Sequence, residues 1–132
     1  MHVQQIKETC LYISDLGRCR AFYEGKLELP VIGLAEHRHI FFRAGSSVLL
    51  CFIAESSKKS THLPPHWATG KQHFAFQVAA PEYEAYKDKI RNLGIAITHE
   101  ELWPNGLESF YFEDPDGHVL EVVPEGLWEK SK

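Results

Sequence analysis

Three side chains in this 132-residue sequence have the chemistry to hold a divalent ion: Glu8, His73 and Glu121. Each falls in a stretch with strand-like alternation. Glu8, Cys10 and Tyr12 face one way in Glu8–Ile13, with Thr9, Leu11 and Ile13 facing the other. His73, Ala75 and Gln77 share a face of the stretch that follows Gln72, and Glu121 stands alone among Val119, Leu120, Val122 and Val123. Two carboxylates and an imidazole on inward strand faces are costly to bury unpaired, and a divalent cation offsets that cost. Three protein ligands leave coordination positions open for water or substrate. The donor set suits Fe²⁺, Mn²⁺, Ni²⁺, Co²⁺ or Zn²⁺ rather than a soft thiolate metal. One of the carboxylates, Glu8 or Glu121, could also shuttle a proton. In the alternative, both carboxylates lie on a wet sheet face and His73 merely hydrogen-bonds one of them.

An internal repeat favours the first reading. The order strand, helix, three strands occurs twice. The first copy runs through Ile6–Ser14, a helix from an Asp15 cap to about Leu27, and strands over Val31–Leu34, His39–Arg43 and Val48–Ile53. The second runs through His73–Val78, a helix started by Pro81 and ended by Gly94, a strand over Ile95–Glu100, and a closing hairpin of Ser109–Phe112 and Val119–Val123. Within that hairpin, Asp114-Pro115-Asp116-Gly117 is turn chemistry: Asp carboxylates bond nearby amides and Gly takes φ > 0. An offset of 65 aligns Glu8 with His73, and an offset of 70 aligns Phe41-Phe42 with Tyr111-Phe112. The same 70 sets Cys51 opposite Glu121, as a fourth ligand or as a small core hydrophobe; its apolar surroundings favour the latter. Two such modules bury their apolar sheet faces against each other and bring equivalent positions together.

Around these ligands, Tyr111, Phe41 and Trp67 are candidates to line a substrate pocket, and Arg43 shares the parity of Phe41 and could grip an anionic group. Residues 55–70 lack periodicity and form a connector, in which His62 and His66 flank Pro64-Pro65. We therefore expect one domain: module 1 over 1–54, a connector over 55–71 and module 2 over 72–132. With 44% hydrophobic residues there is enough for a core. A formal charge of −4 without basic runs argues against nucleic acid, and no apolar stretch is long enough to span a bilayer. Three scattered cysteines, no Cys-x-x-Cys and no signal-peptide pattern fit a cytoplasmic protein.

Glu8-Thr9-Cys10-Leu11-Tyr12-Ile13-Ser14-Asp15-Leu16 with Phe22-Tyr23, Gly70-x-x-His73-x-Ala75-Phe76, and Ser109–His118 with Leu120-Glu121 resemble the vicinal oxygen chelate superfamily of glyoxalases, bleomycin resistance proteins and extradiol dioxygenases. Leu63–Gly70 and Gly126-Leu127-Trp128 resemble a bacterial subgroup labelled only as glyoxalase family. The resemblance implies an α+β fold in which tandem βαβββ modules form a cupped mixed β-sheet around a metal. It also implies Glu8, His73 and Glu121 as ligands, Tyr111 as a substrate contact, and a homodimer. Ring-cleaving dioxygenases and fosfomycin transferases of this kind typically carry His at the first ligand position, where this chain has Glu8. Glyoxalase I typically has a fourth ligand, Glu, at the position aligned here with Cys51.

Two functions from different classes follow. One is a metal-dependent lyase, isomerase or dioxygenase that chelates a small oxygenated metabolite through adjacent oxygens. The other is a sequestering protein of the bleomycin-resistance type that binds a small hydrophobic compound, such as an antibiotic, without chemistry.

Overall fold

The computed structural model describes residues 1–129. It divides into two compact units, one over residues 1–72 and one that begins at His73. The first contains β1 (Glu8–Ile13), α1 (Leu16–Arg20) continuing as π-helical turns over Ala21–Lys26, β2 (Val31–Ala35), β3 (His39–Ala44), β4 (Ser47–Ile53) and the short α2 (Ala54–Lys58). The second contains β5 (His73–Val78), α3 (Tyr83–Asn92) entered through a 3₁₀ turn at Ala80–Glu82, β6 (His99–Leu102), β7 (Glu108–Glu113) and β8 (Val119–Pro124). The strand orders are β1-β4-β3-β2 and β5-β8-β7-β6. In each sheet the first strand pairs parallel with the last, and the other pairs are antiparallel. Each unit is thus a βαβββ module with a mixed four-stranded sheet, as the repeat predicts. Among the described residues no helix is long and apolar enough to cross a membrane.

Alternation decides which sheet face is covered by a helix. In the first unit Leu11, Ile13, Ile40, Phe42, Leu49 and Cys51 are buried. The helix lies over this side, with the Tyr23 ring 5.4 Å from Phe42. In the second, Phe110, Phe112, Leu120 and Val122 are buried, and Tyr83 of α3 reaches to 5.5 Å from Phe110. The opposite faces carry Glu8 in one sheet and His73 and Glu121 in the other. The helix of the first unit starts where the sequence indicates, because Asp15 accepts a hydrogen bond from the Arg18 amide at 2.8 Å. Asp15→Ala should cost about 1 kcal/mol, read as a lower denaturant midpoint at unchanged slope.

Three expectations need correction. The strand expected over Ile95–Glu100 begins only at His99. The Ile95 amide is still bonded to the Ile90 carbonyl of α3, and the sheet is joined first by the Thr98 amide on the Tyr111 carbonyl. The connector is not wholly irregular, since α2 opens it. Finally, the offset of 70 does not persist into the last strand of each module. The turn between β3 and β4 brings Arg43 opposite Val48, whereas the turn between β7 and β8 brings Glu113 opposite Val119, one residue more. Asp114 fills that longer turn by accepting from the Asp116 and His118 amides, both at 2.9 Å, with Gly117 at φ +80°.

Candidate metal centre

The second unit brings His73 and Glu121 together. His73 faces Val119 across the parallel β5–β8 pair, and Glu121 lies two residues further along β8 on the same face. His73 Nδ1 is 2.8 Å from the Val119 carbonyl oxygen. A carbonyl only accepts, so Nδ1 carries the proton, and in the neutral ring Nε2 is the acceptor. That Nε2 stands 3.3 Å from Glu121 Oε1. A neutral imidazole there would set two acceptors against each other, which calls for a cation between them or a proton on Nε2. Adjacent donors on one ion, each at about 2.1 Å, are separated by about 3.0 Å in octahedral and about 3.4 Å in tetrahedral geometry. The observed spacing fits that bite, and the Nδ1–carbonyl bond is the kind of outer contact that orients a ligating histidine.

Glu121 is buried while the His73 side chain is half exposed, so the pair has a shielded carboxylate and an accessible nitrogen. Tyr111 lies directly opposite Glu121 across β7–β8. Burial and its hydrogen bond to the Glu121 carboxylate push the Tyr111 phenol above its ordinary pKa, against a smaller opposing effect of Ser109. Its ring is 6.0 Å from that of His73. The phenol therefore remains protonated at neutral pH, on the same face as the carboxylate.

Glu8 belongs to the first unit, at the exposed start of β1. Its row across that sheet is Glu8, Val48, Arg43, and the next is Cys10, Leu50, Phe41. Phe41 and Arg43 therefore share the face of Glu8, as their parity suggests. Phe41 belongs to a ring cluster: His39 stacks on it at 4.0 Å, and Phe52 meets it edge-on at 5.4 Å. Among the described residues no group of three or more His, Cys, Asp or Glu side chains is gathered for a metal.

Cys51 lies on the other face, opposite Leu11, and is fully buried. The register makes Leu50 the counterpart of Glu121, since Leu50 pairs with Cys10 as Glu121 pairs with Ala75. Cys51 is therefore a core side chain, and the one-residue difference between the hairpin turns is what misaligned it. Trp67 is half exposed on the connector, with Lys58 Nζ 5.2 Å from its ring; it is not on a strand. His66 bonds the Tyr12 hydroxyl at 2.5 Å, whereas His62 stays exposed.

Sequence reading missed His99 and Glu101. Both lie on β6, on the face of Tyr111 and Glu121: His99 is paired with Tyr111, and Glu101 with Ser109. His99 Nε2 is 3.1 Å from Glu101 Oε1, and its ring is 5.5 Å from Tyr111. The signal was the alternation of that strand, which the misplaced strand start at Ile95 obscured.

The family model described as the Glyoxalase/Bleomycin resistance protein/Dioxygenase superfamily matches residues 5–122. The glutathione transferase FosA of Serratia marcescens is 27% identical over 123 residues, covering 91% of this chain and 80% of its own. The metallothiol transferase FosB of Bacillus licheniformis is 25% identical over 119 residues, covering 89% and 73%. The crystal structure of lactoylglutathione lyase from Agrobacterium tumefaciens superposes with a TM-score of 0.92 at 32% identity, over 97% of this chain and 98% of that one.

Proposed function

The chain belongs to the glyoxalase/bleomycin resistance protein/dioxygenase superfamily, and from that membership we propose that it is a metal-dependent enzyme acting on a small oxygenated metabolite through two adjacent oxygens. The observation that carries this is the His73–Glu121 pair, with Nε2 3.3 Å from a buried carboxylate oxygen. In this reading His73 and Glu121 are ligands and Glu8 is the third. An ion held by them, one of Fe, Mn, Ni, Co or Zn, would supply Lewis-acid polarisation of the substrate oxygens.

The protein's own groups do the rest. His73 offers Nε2 because the Val119 carbonyl holds the proton on Nδ1. Tyr111, opposite Glu121 across β7–β8, presents a protonated phenol beside that carboxylate. Glu8 and Glu121 are the carboxylates that take a proton from the substrate carbon or return it, which suits a lyase or isomerase; dioxygenase chemistry is the Fe²⁺ sub-case. Phe41, Trp67 and Arg43 contact the remainder of the substrate. We further propose a cytoplasmic homodimer, for which light scattering should give twice the chain mass of 15.1 kDa; a mass of 15.1 kDa at high concentration removes the dimer.

The test is metal-dependent recognition of vicinal oxygens. The neutral chelator 4-methylcatechol should bind the Zn²⁺-loaded chain and not the metal-free chain in calorimetry. Equal binding to both forms would favour the non-catalytic sequestering protein instead.

A further inference from the structure

The polar side chains of the second unit are sorted by charge between the two faces of its sheet. None of its four strands contains a lysine or arginine. On the helix side, Glu108 and Glu100 both bond Lys87 of α3, and Glu100 also bonds Arg91, so the cations of α3 answer the carboxylates there. On the other side lie Glu121 and Glu101, with His73 and His99. One row crosses this face: Glu121, Tyr111, His99. At about 4.8 Å per strand, His99 stands about 10 Å from the Glu121 backbone. A molecule chelated beside Glu121 and extending across Tyr111 therefore meets His99 and Glu101 a few bonds beyond its chelating oxygens.

We propose that the His99–Glu101 pair sets substrate charge: the part of the substrate beyond the chelated oxygens is cationic or a neutral hydrogen-bond donor, such as an ammonium or hydroxyl group, and is not a carboxylate, phosphate or phosphonate. This rests on the chelation reading above. The pair brings a carboxylate and no permanently charged cation to this face, which disfavours an anion. Glu101 Oε1 is already engaged by His99 at 3.1 Å, and its side chain is 44% exposed, which leaves the carboxylate's second oxygen to accept from a ligand.

Three catechols with the same chelating oxygens separate the two claims: neutral 4-methylcatechol, cationic dopamine and anionic 3,4-dihydroxybenzoate, titrated anaerobically into the Zn²⁺-loaded full chain. Dopamine should bind about tenfold tighter than 3,4-dihydroxybenzoate, corresponding to about 1.4 kcal/mol. Glu101→Gln should shrink that ratio to about twofold and Glu101→Lys should invert it, with metal content and 4-methylcatechol affinity unchanged in both. Failure of 4-methylcatechol to bind overturns the chelation reading and this inference with it. Binding of all three with 3,4-dihydroxybenzoate equal to or tighter than dopamine overturns the charge selection alone. A ratio that both variants leave untouched overturns the assignment to Glu101.

Discussion

His73→Ala should weaken divalent-ion binding by about 100-fold or more while leaving the protein folded. The side chain is half exposed and makes one backbone hydrogen bond, to the Val119 carbonyl. Losing that bond costs about 1 kcal/mol at most. In the proposed coordination the only nitrogen donor is lost, and the two carboxylates that remain, Glu8 and Glu121, bind an ion weakly. Competition against a chromophoric chelator measures the affinity, and circular dichroism measures the fold. Wild-type affinity in a folded variant would remove His73 from the ligand set. An unfolded variant would instead show that the histidine is structural.

Lys87→Met should destabilise the second unit by about 2 kcal/mol. Lys87, on the buried side of α3, is 6% exposed. Its ammonium reaches Glu108 at 2.5 Å and Glu100 at 2.9 Å, and Glu108 also accepts from the Tyr83 hydroxyl at 3.0 Å. Removing one partner of a fully buried pair costs about 3–5 kcal/mol. The estimate here is lower because Glu108 and Glu100 are 34% and 41% exposed and can turn to water. Urea unfolding reads the loss as a lower midpoint; an unchanged midpoint would mean that methionine packing replaces the whole network.

The same network predicts a pH dependence. The Lys87 hydrogen bond holds the Glu108 carboxyl below its ordinary pKa, against an opposing effect of burial. The stability it contributes is full above the unfolded carboxylate value of about 4.3 and declines as pH falls through the lower folded value. Burial alone would depress Lys87, but its bonds to Glu108 and Glu100 outweigh this and raise it. That contribution is full below about pH 10.4 and is lost as pH rises through the folded value. Lys87→Met should therefore flatten the acid limb of the stability curve relative to wild type. Parallel acid limbs in the two proteins would contradict this.

Most of the fold was legible because alternation and turn chemistry are local. The Asp114–Gly117 turn, the Asp15 cap and the two βαβββ modules each follow from residues within a few positions of one another. Register was harder. One extra residue in a turn moves every later side chain to a different counterpart, and that is why Cys51 stood in the place that belongs to Leu50. For the same reason His99 and Glu101 escaped notice, since the slack between Gly94 and His99 carries no periodicity that marks where the sheet begins. Likewise, the bond between His73 Nδ1 and the Val119 carbonyl joins positions 46 residues apart, so no sequence pattern announces it.

Elemental analysis of the purified chain, as isolated and after divalent-ion reconstitution, alongside Glu121→Ala, tests the metal-enzyme reading most directly. The account predicts about one ion per chain in the wild type and a loss of that ion in the variant. No metal in either protein, before or after reconstitution, would contradict it and leave Glu8, His73 and Glu121 as ordinary polar side chains of a binding protein.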